Sequence, residues 1–234
     1  MGAIFRREFS SYFKSPIGYI FLASFFIVSG AFLYVGPLIY ATAELSYVFS
    51  PLLTIIMVLI PLITMRLFSE EKKLKTDQLL LTSPVSLTGL VMGKFLAAFA
   101  IYTIALSITL VYALVLTVFA DPGWAMVFGN YFGLLCIGGS IIAIGTFISA
   151  LTESQIVAAI GTYGCVLFVL LIDSFASLIP IAFLSSFVAS FSFFARYEEF
   201  TYGLFNVESI IFFISVFVVF IFLTIRVLEK KRWN

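Results

Sequence analysis

The chain has 234 residues, of which 62% are apolar and only 11% are charged, and its formal net charge is +1. A soluble domain carries about 25% charged residues and leaves roughly 30% of its unfolded surface exposed, so this composition excludes a water-soluble globule. The balanced charge gives no basic field for nucleic acid. The chain has no His, and its two cysteines, Cys136 and Cys165, have no partner at ligand spacing, so we expect no metal site, no cofactor and no disulfide framework.

The first fifteen residues, 1–15, predict a helix that lies in the membrane interface. Phe5, Phe9, Tyr12 and Phe13 fall on one helical face, and the basic and hydroxyl side chains of the stretch fall on the other. Pro16 then marks the turn into the first apolar run, which is too long for a cleavable signal peptide. The alternative is a tail without fixed structure.

Six apolar segments are long enough to cross a membrane, which takes about 20 mostly apolar residues. They lie near 17–40, 48–66, 92–120, 128–151, 155–173 and 207–227. We therefore predict an all-α membrane protein with six transmembrane helices. Small residues recur in the fourth and fifth segments and favour close helix packing over a ligand path; they include Gly138, Gly139, Ala143, Gly145, Ala158, Gly161 and Gly164.

The basic residues predict the topology. With six spans and a cytoplasmic N-terminus, every one of the 13 Lys and Arg residues except Arg196 lies on the cytoplasmic side. This distribution follows the positive-inside rule and places both termini in the cytoplasm. The outer loops instead carry acids, namely Glu44, Asp121, Asp173, Glu198, Glu199 and Glu208.

The stretch 176–195 is apolar enough to suggest a seventh span. A seventh span would move the basic residues after 225 to the outer side, against the positive-inside rule. The stretch is also rich in Ser and contains Pro180. We therefore expect 174–206 to form short helices that cap the bundle or dip into the outer leaflet, and a true span is the alternative.

The chain carries no recognisable catalytic residues. It has no His for base chemistry and no paired carboxylates at mid-membrane depth. Residues 88–95, TGLVMGKF, approach a P-loop, but they have three residues between the glycines instead of four, and Phe95 follows the Lys. We expect no enzyme activity in this chain, so any transport work would need another subunit or an ion gradient.

The densest charge in the chain lies at 70–77, within a predicted cytoplasmic segment, 67–91. The charged residues keep this segment in water, while Leu74 and the run 79–81 give a short helix an apolar face. Thr82, Ser83 and Pro84 then interrupt it. An amphipathic helix at this position could bind a soluble partner and pass its motion to both adjoining spans. The alternative is an ordinary solvated loop.

Three stretches of the chain resemble one family. The segment 66–98 reads RLFSEEKKLKTDQLLLTSPVSLTGLVMGKFLAA and resembles the region after the second span in permease subunits of type-2 ABC exporters. The tail 212–233, FFISVFVVFIFLTIRVLEKKRW, and the start 5–20, FRREFSSYFKSPIGYI, resemble the gliding-motility-associated branch of that family. One departure is Lys75, where the family usually has Gly.

The resemblance implies an ATP-driven exporter of a bacterial cytoplasmic (inner) membrane. Two permeases would pair, as a homodimer or a heterodimer, within the membrane lipid, and cytoplasmic ABC ATPase subunits would dock beneath them. ATP and Mg²⁺ would bind to those ATPase subunits and none to this chain. Residues 70–82 would form the coupling helix, and we expect the contacts to be made by Glu70, Glu71, Lys72, Thr76 and Leu80.

Two other functions remain open at this stage. The first is a membrane anchor or assembly scaffold, in which the segment 67–91 only recruits a partner. The second is an ion channel, which would need a polar pore lining. The hydroxyl residues of the spans are too scattered to indicate such a lining. We therefore predict a permease that moves an unidentified substrate by alternating access.

Overall fold

The structure, a computed structural model, describes residues 1–42, 44–76, 86–178 and 181–233. These residues form eleven α-helices and contain no strand. The helices are α1 (Gly2–Lys14), α2 (Pro16–Leu33), α3 (Ser46–Thr64), α4 (Ser69–Lys73), α5 (Leu87–Leu106), α6 (Ile108–Leu116), α7 (Trp124–Leu151), α8 (Gln155–Leu178), α9 (Ala182–Ala189), α10 (Phe193–Thr201) and α11 (Val207–Trp233). A π-helical turn, Tyr34–Leu38, extends α2 and contains Pro37.

Six helical stretches in the described residues are long and apolar enough to cross a membrane, as predicted. They are Pro16–Leu38, Ser46–Lys73, Leu87–Leu116, Trp124–Leu151, Gln155–Leu178 and Val207–Arg232. The second runs on beyond its predicted end at 66, because turns at 65–68 lead directly into α4. The third is interrupted at Ser107, between α5 and α6. By their length and composition, these six stretches indicate a multi-pass membrane protein.

Helix α7 is the centre of the bundle. Of the 18 most apolar consecutive residues of α7, 67% are buried inside the protein, whereas the corresponding shares for α8 and α11 are 22% and 17%. Neighbours approach the glycines of α7 closely: a Cβ on Gly138 would lie 2.3 Å from the Tyr102 ring, and one on Gly145 would lie 2.3 Å from Thr64 Oγ1. Here the small residues serve packing, as predicted.

In the described part of 174–206, no helix is long enough to be a seventh span. Helix α8 ends at Leu178, and α9 and α10 have 8 and 9 residues, too few to cross a bilayer. Helix α10 is held against α7, because Tyr197 Oη donates a 2.7 Å hydrogen bond to Asn130 Oδ1. The outer position of these helices stays a prediction.

Arg196, the exception to the charge distribution, is neutralised locally. Its guanidinium lies 2.7 Å from Glu208 Oε1 and 5.4 Å from the centre of the Phe212 ring. Arg196 nevertheless stays an exception to the predicted topology, because the positive-inside rule counts Lys and Arg and does not depend on net charge.

The N-terminal residues form a helix that packs on the bundle, which excludes a tail without fixed structure. Tyr12 is buried, and its hydroxyl donates to the Ile63 carbonyl at 2.9 Å. Ile4, which lies off the predicted apolar face, packs at Gly93 of α5, where a Cβ would lie 2.9 Å from Ile4 Cγ2. That α1 lies in the membrane interface stays a prediction.

Candidate functional site

The predicted coupling segment is described at 67–76 and 86–91. It leaves α3 through a turn, forms α4, and continues to Thr76. Helix α4 carries acids in its first turn and cations in its last, the order that favours the helix dipole. Leu80, one of the five expected contact residues, lies outside the described residues.

Lys94 of α5 is the centre of a charged cluster beside α4. Its side chain is 1% exposed, and its Nζ lies 2.9 Å from Glu71 Oε1 and 3.3 Å from Glu8 Oε1. The same nitrogen donates to the Leu67 carbonyl at 2.6 Å and lies 5.1 Å from the centre of the Phe68 ring. A buried ammonium needs such partners, because its desolvation would otherwise cost several kcal/mol.

Arg7 of α1 completes the cluster. Its guanidinium lies 2.8 Å from Glu71 Oε1 and 2.5 Å from Glu8 Oε1. Burial opposes the charged form, but the two carboxylates outweigh it and raise the pKa of Arg7 above its ordinary value. The charge cluster, Arg7, Glu8, Glu71 and Lys94, is therefore neutral as a whole and joins α1, α4 and α5.

A second contact fastens the segment beneath the C-terminal end of α7. Ser149 Oγ accepts hydrogen bonds from the backbone N–H groups of Phe68 at 3.0 Å and Ser69 at 3.2 Å, and it donates to the Met65 carbonyl at 3.0 Å. A hydroxyl offers one donor and two acceptor lone pairs, so this side chain is fully used. Lys72 Nζ donates to the Ala150 carbonyl, where a cation complements the negative end of the helix.

Arg66 adds a third contact at the junction of α1 and α2. Its guanidinium donates to Ser15 Oγ at 2.9 Å and to Ser11 Oγ at 3.4 Å, and it lies 4.5 Å from the centre of the Tyr12 ring. Burial raises the pKa of Tyr12, so its hydroxyl stays protonated as a donor. The middle and the C-terminal end of α1 thus contact the segment that follows α3.

The expected contact residues fall into two groups. Glu71 and Lys72 face the bundle and anchor the segment. The side chain of Glu71 is 17% exposed, and Lys72 as a whole residue is 5% exposed. Glu70 is half-buried, and Thr76 is exposed at the end of the described stretch. Lys73, Leu74 and Lys75 are exposed beside it.

Lys75 adopts a left-handed backbone conformation, with φ of 54°. It follows the C-cap residue of α4, a position where Gly is usual because other side chains crowd the backbone. The family that the segment resembles usually has Gly here. The Lys75 backbone therefore adopts the Gly-type turn at a cost of about 1 kcal/mol.

Sequence reasoning missed Arg7, Glu8, Lys94 and Ser149. Lys94 carried a usable signal, because it is the only charge between residues 78 and 120, and an ionisable residue within a span is a functional hypothesis by default. Glu8 and Arg7 carried none, since nothing local indicates that α1 folds back onto α5.

Replacing Ser149 with Ala should lower the free energy of unfolding by about 2 kcal/mol, because two buried N–H groups lose their acceptor. The thermal unfolding of the purified chain would measure this loss. Ser215→Ala is the control, since Ser215 is exposed and donates only to the Phe212 carbonyl of its own helix. An equal effect of the two substitutions would contradict an anchoring role for Ser149.

Comparisons with known proteins leave the family unidentified. A scan against models of known protein families finds no match for the chain, and a search of curated proteins finds no similar sequence. The resemblance therefore depends on the quoted stretches alone, and the function has to be argued from the geometry of the site.

Proposed function

We propose that this chain is the permease subunit of an ATP-driven exporter and that α4 is where a separate ATPase subunit acts on it. The observation that carries the proposal is the anchoring of α4. A five-residue charged helix between two apolar helices is fastened to α1 by a half-exposed ion pair, to α5 by a buried ion pair and to α7 by buried hydrogen bonds. A loop that only keeps charges in water needs no such contacts.

The anchoring suits the transmission of force. Helix α4 continues α3 through a short turn, and its contacts with Lys94 and Ser149 reach two further membrane-spanning helices. A displacement of α4 is therefore shared by α3, α5 and α7. Packed elements of this kind move as rigid bodies, because interiors deform little under strain.

In this proposal the contact residues have two different roles. Glu71 and Lys72 hold the segment in the permease, so they act on the ATPase indirectly. Glu70, Lys73, Lys75 and Thr76 form the surface that the ATPase contacts, and Leu80, which lies outside the described residues, stays an expected contact residue. ATP binding by the ATPase dimer moves this surface and drives the alternation between inward- and outward-facing states.

The partners follow from the same proposal. ATP and Mg²⁺ bind to the ATPase, and a second permease, identical or different, completes the path through a bacterial cytoplasmic membrane. The helices facing the bilayer are lined with Phe, Leu and Ile, which suits a lipid-like or amphipathic substrate.

Reversing the charges of Lys73 and Lys75 tests the proposal. Both side chains are exposed and make no ion pair with any residue that the structure describes. Lys73→Glu with Lys75→Glu should lower the amount of co-purified ATPase at least about tenfold. Each pair of like charges brought together at an interface costs on the order of 1 kcal/mol or more of binding free energy. The measurement is gentle extraction from the native membrane, identification of the co-purifying chains, and an ATPase assay.

The control is Lys230→Glu with Lys231→Glu, the same change of charge on exposed residues at the end of α11. It should leave the ATPase bound. If no P-loop ATPase accompanies the wild-type chain, the exporter proposal fails and the membrane scaffold replaces it. If the ATPase is bound equally well by both variants, α4 is not its contact surface.

A further inference from the structure

Three hollows follow one another along α1, α5 and α11. The basic hollow is lined by Gly2, Ala3, Arg6, Arg7, Ser10 and Lys14. The middle hollow is lined by Met1, Gly2, Phe5, Leu96, Phe99 and Ala100. The aromatic groove lies between α5, α7 and α11, and Phe95, Phe99, Phe132, Phe213 and Phe217 are among its lining residues.

Neighbouring hollows adjoin at a shared lining residue. Gly2 lines both the basic and the middle hollow, and Phe99 lines both the middle hollow and the aromatic groove. The rings along the path support one another, since Phe95 stacks on Phe99 with centroids 5.8 Å apart and lies 4.7 Å from Phe217. One elongated occupant could therefore touch all three.

The two ends differ in chemistry. Arg6 and Lys14 are exposed and form no ion pair with any part of the chain that the structure describes, whereas Arg7 already contacts two carboxylates. At the other end the groove offers little to a polar group. The hydroxyl of Ser140 already donates to the carbonyls of Cys136 and Phe213, so an occupant there meets rings and alkyl groups.

We propose that this path binds one anionic phospholipid of the surrounding membrane. Its phosphate lies in the basic hollow against Arg6 and Lys14, and one acyl chain passes Phe5 and Leu96 into the aromatic groove. A molecule with an anionic head and a hydrocarbon tail matches both ends at once, whereas a second copy of this chain would bring its own cations to the basic hollow. The inference does not depend on the proposed transport function.

The consequence for the fold is a lipid that joins α1 to α5 and α11. Phe5 and Leu96 belong to α1 and α5, and Phe217 belongs to α11, so the acyl chain touches all three helices. The phosphate meanwhile balances Arg6 and Lys14, which have no ion pair among the described residues. Anionic lipid should therefore tighten the attachment of α1.

The test is lipid retention by the purified, delipidated chain, measured by native mass spectrometry after addition of phosphatidylglycerol or phosphatidylcholine. The wild-type chain should retain one phosphatidylglycerol in preference to phosphatidylcholine, and the preference should weaken at high salt. Arg6→Ala with Lys14→Ala should reduce phosphatidylglycerol retention about 30-fold, since each cation at an anionic surface contributes about fivefold. Retention of phosphatidylcholine should stay unchanged.

Ala100→Phe tests the acyl path separately. The larger side chain fills the middle hollow, so retention of both lipids should fall. The matched controls are Lys230→Ala with Lys231→Ala for charge, and Ala23→Phe, at an exposed position of α2, for bulk. Each control should change retention less than about twofold, as expected for sites away from the path.

Three results would overturn the proposal. The first is a wild-type chain that retains both lipids equally, and the second is a charge variant that behaves as its control does. The third is occupation of the path by a second copy. It would be revealed by disulfide cross-linking between chains that carry Ala100→Cys together with Cys136→Ser and Cys165→Ser.

Discussion

Replacing Lys94 with Met is expected to lower the free energy of unfolding by about 3 kcal/mol, because breaking a buried ion pair leaves an uncompensated charge. Met keeps most of the side-chain volume but removes the cation. Glu8 and Glu71, only 13% and 17% exposed, would then share Arg7 as their cation within the charge cluster. The Leu67 carbonyl would also lose its donor.

The measurement is thermal unfolding of the purified chain. Lys73→Met is the matched control, since Lys73 is exposed on α4 and forms no ion pair in the described ranges. It should change the stability by less than about 0.5 kcal/mol. Equal losses for Lys73 and Lys94 would show that the charge cluster does not stabilise the fold.

A double-mutant cycle separates the ion pair from the other contacts of Lys94. In a chain that already carries Glu71→Gln, the cost of Lys94→Met should shrink by at least about 1 kcal/mol, because one of the two orphaned carboxylates is gone. An unchanged cost would assign the effect to Glu8, the Leu67 carbonyl and the Phe68 ring.

The helical architecture could be predicted from the sequence, because span length and charge distribution are local properties. All six predicted spans correspond to long apolar helices, and the small residues of the fourth, such as Gly138 and Gly145, do serve packing. The described part of the weak segment 174–206 contains the short helices α9 and α10, and its place as an outer cap stays a prediction. Its serines make the sequence less apolar, and Pro180 disfavours one continuous helix.

The contacts of the candidate site could not be predicted in the same way. The contact between Lys94 and Glu71 joins residues 23 positions apart, across a stretch whose path no local pattern specifies. Glu8 and Glu71 looked like solvated charges, since amphipathic patterns assign acids to the water side. The buried cation of α5 overrides that preference, because a desolvated ammonium attracts every carboxylate within reach.

The orientation of the Lys72 side chain could not be predicted from the sequence either. In the sequence it belongs to a run of charges that suggested a fully solvated surface. In the structure it is buried and donates to the Ala150 carbonyl. The free carbonyls at the end of α7 need donors, and a long cationic side chain one helix away supplies one. Such a contact depends on where two distant helices end.

Replacing Gly145 with Leu is expected to destabilise the chain by more than about 3 kcal/mol and to abolish coupling. Even a Cβ at this position would lie 2.3 Å from Thr64 Oγ1 and 2.7 Å from Thr64 Cβ, and Thr64 is fully buried. Neither helix can yield locally, so α3 and α7 must separate. The separation would fall one turn from Ser149, which holds the start of α4.

Gly164→Leu is the control for the same change of residue in another predicted span. A Cβ on Gly164 meets nothing within 4 Å, so Leu should leave the stability unchanged or raise it by about 0.5 kcal/mol through its better helix propensity. Thermal unfolding and ATPase-driven transport of both variants would be measured in parallel. If Gly145→Leu unfolds at the same temperature as the wild type, α3 and α7 do not pack as closely as the contact between Gly145 and Thr64 requires. If it folds but loses transport, the contact between α3 and α7 carries the coupling itself.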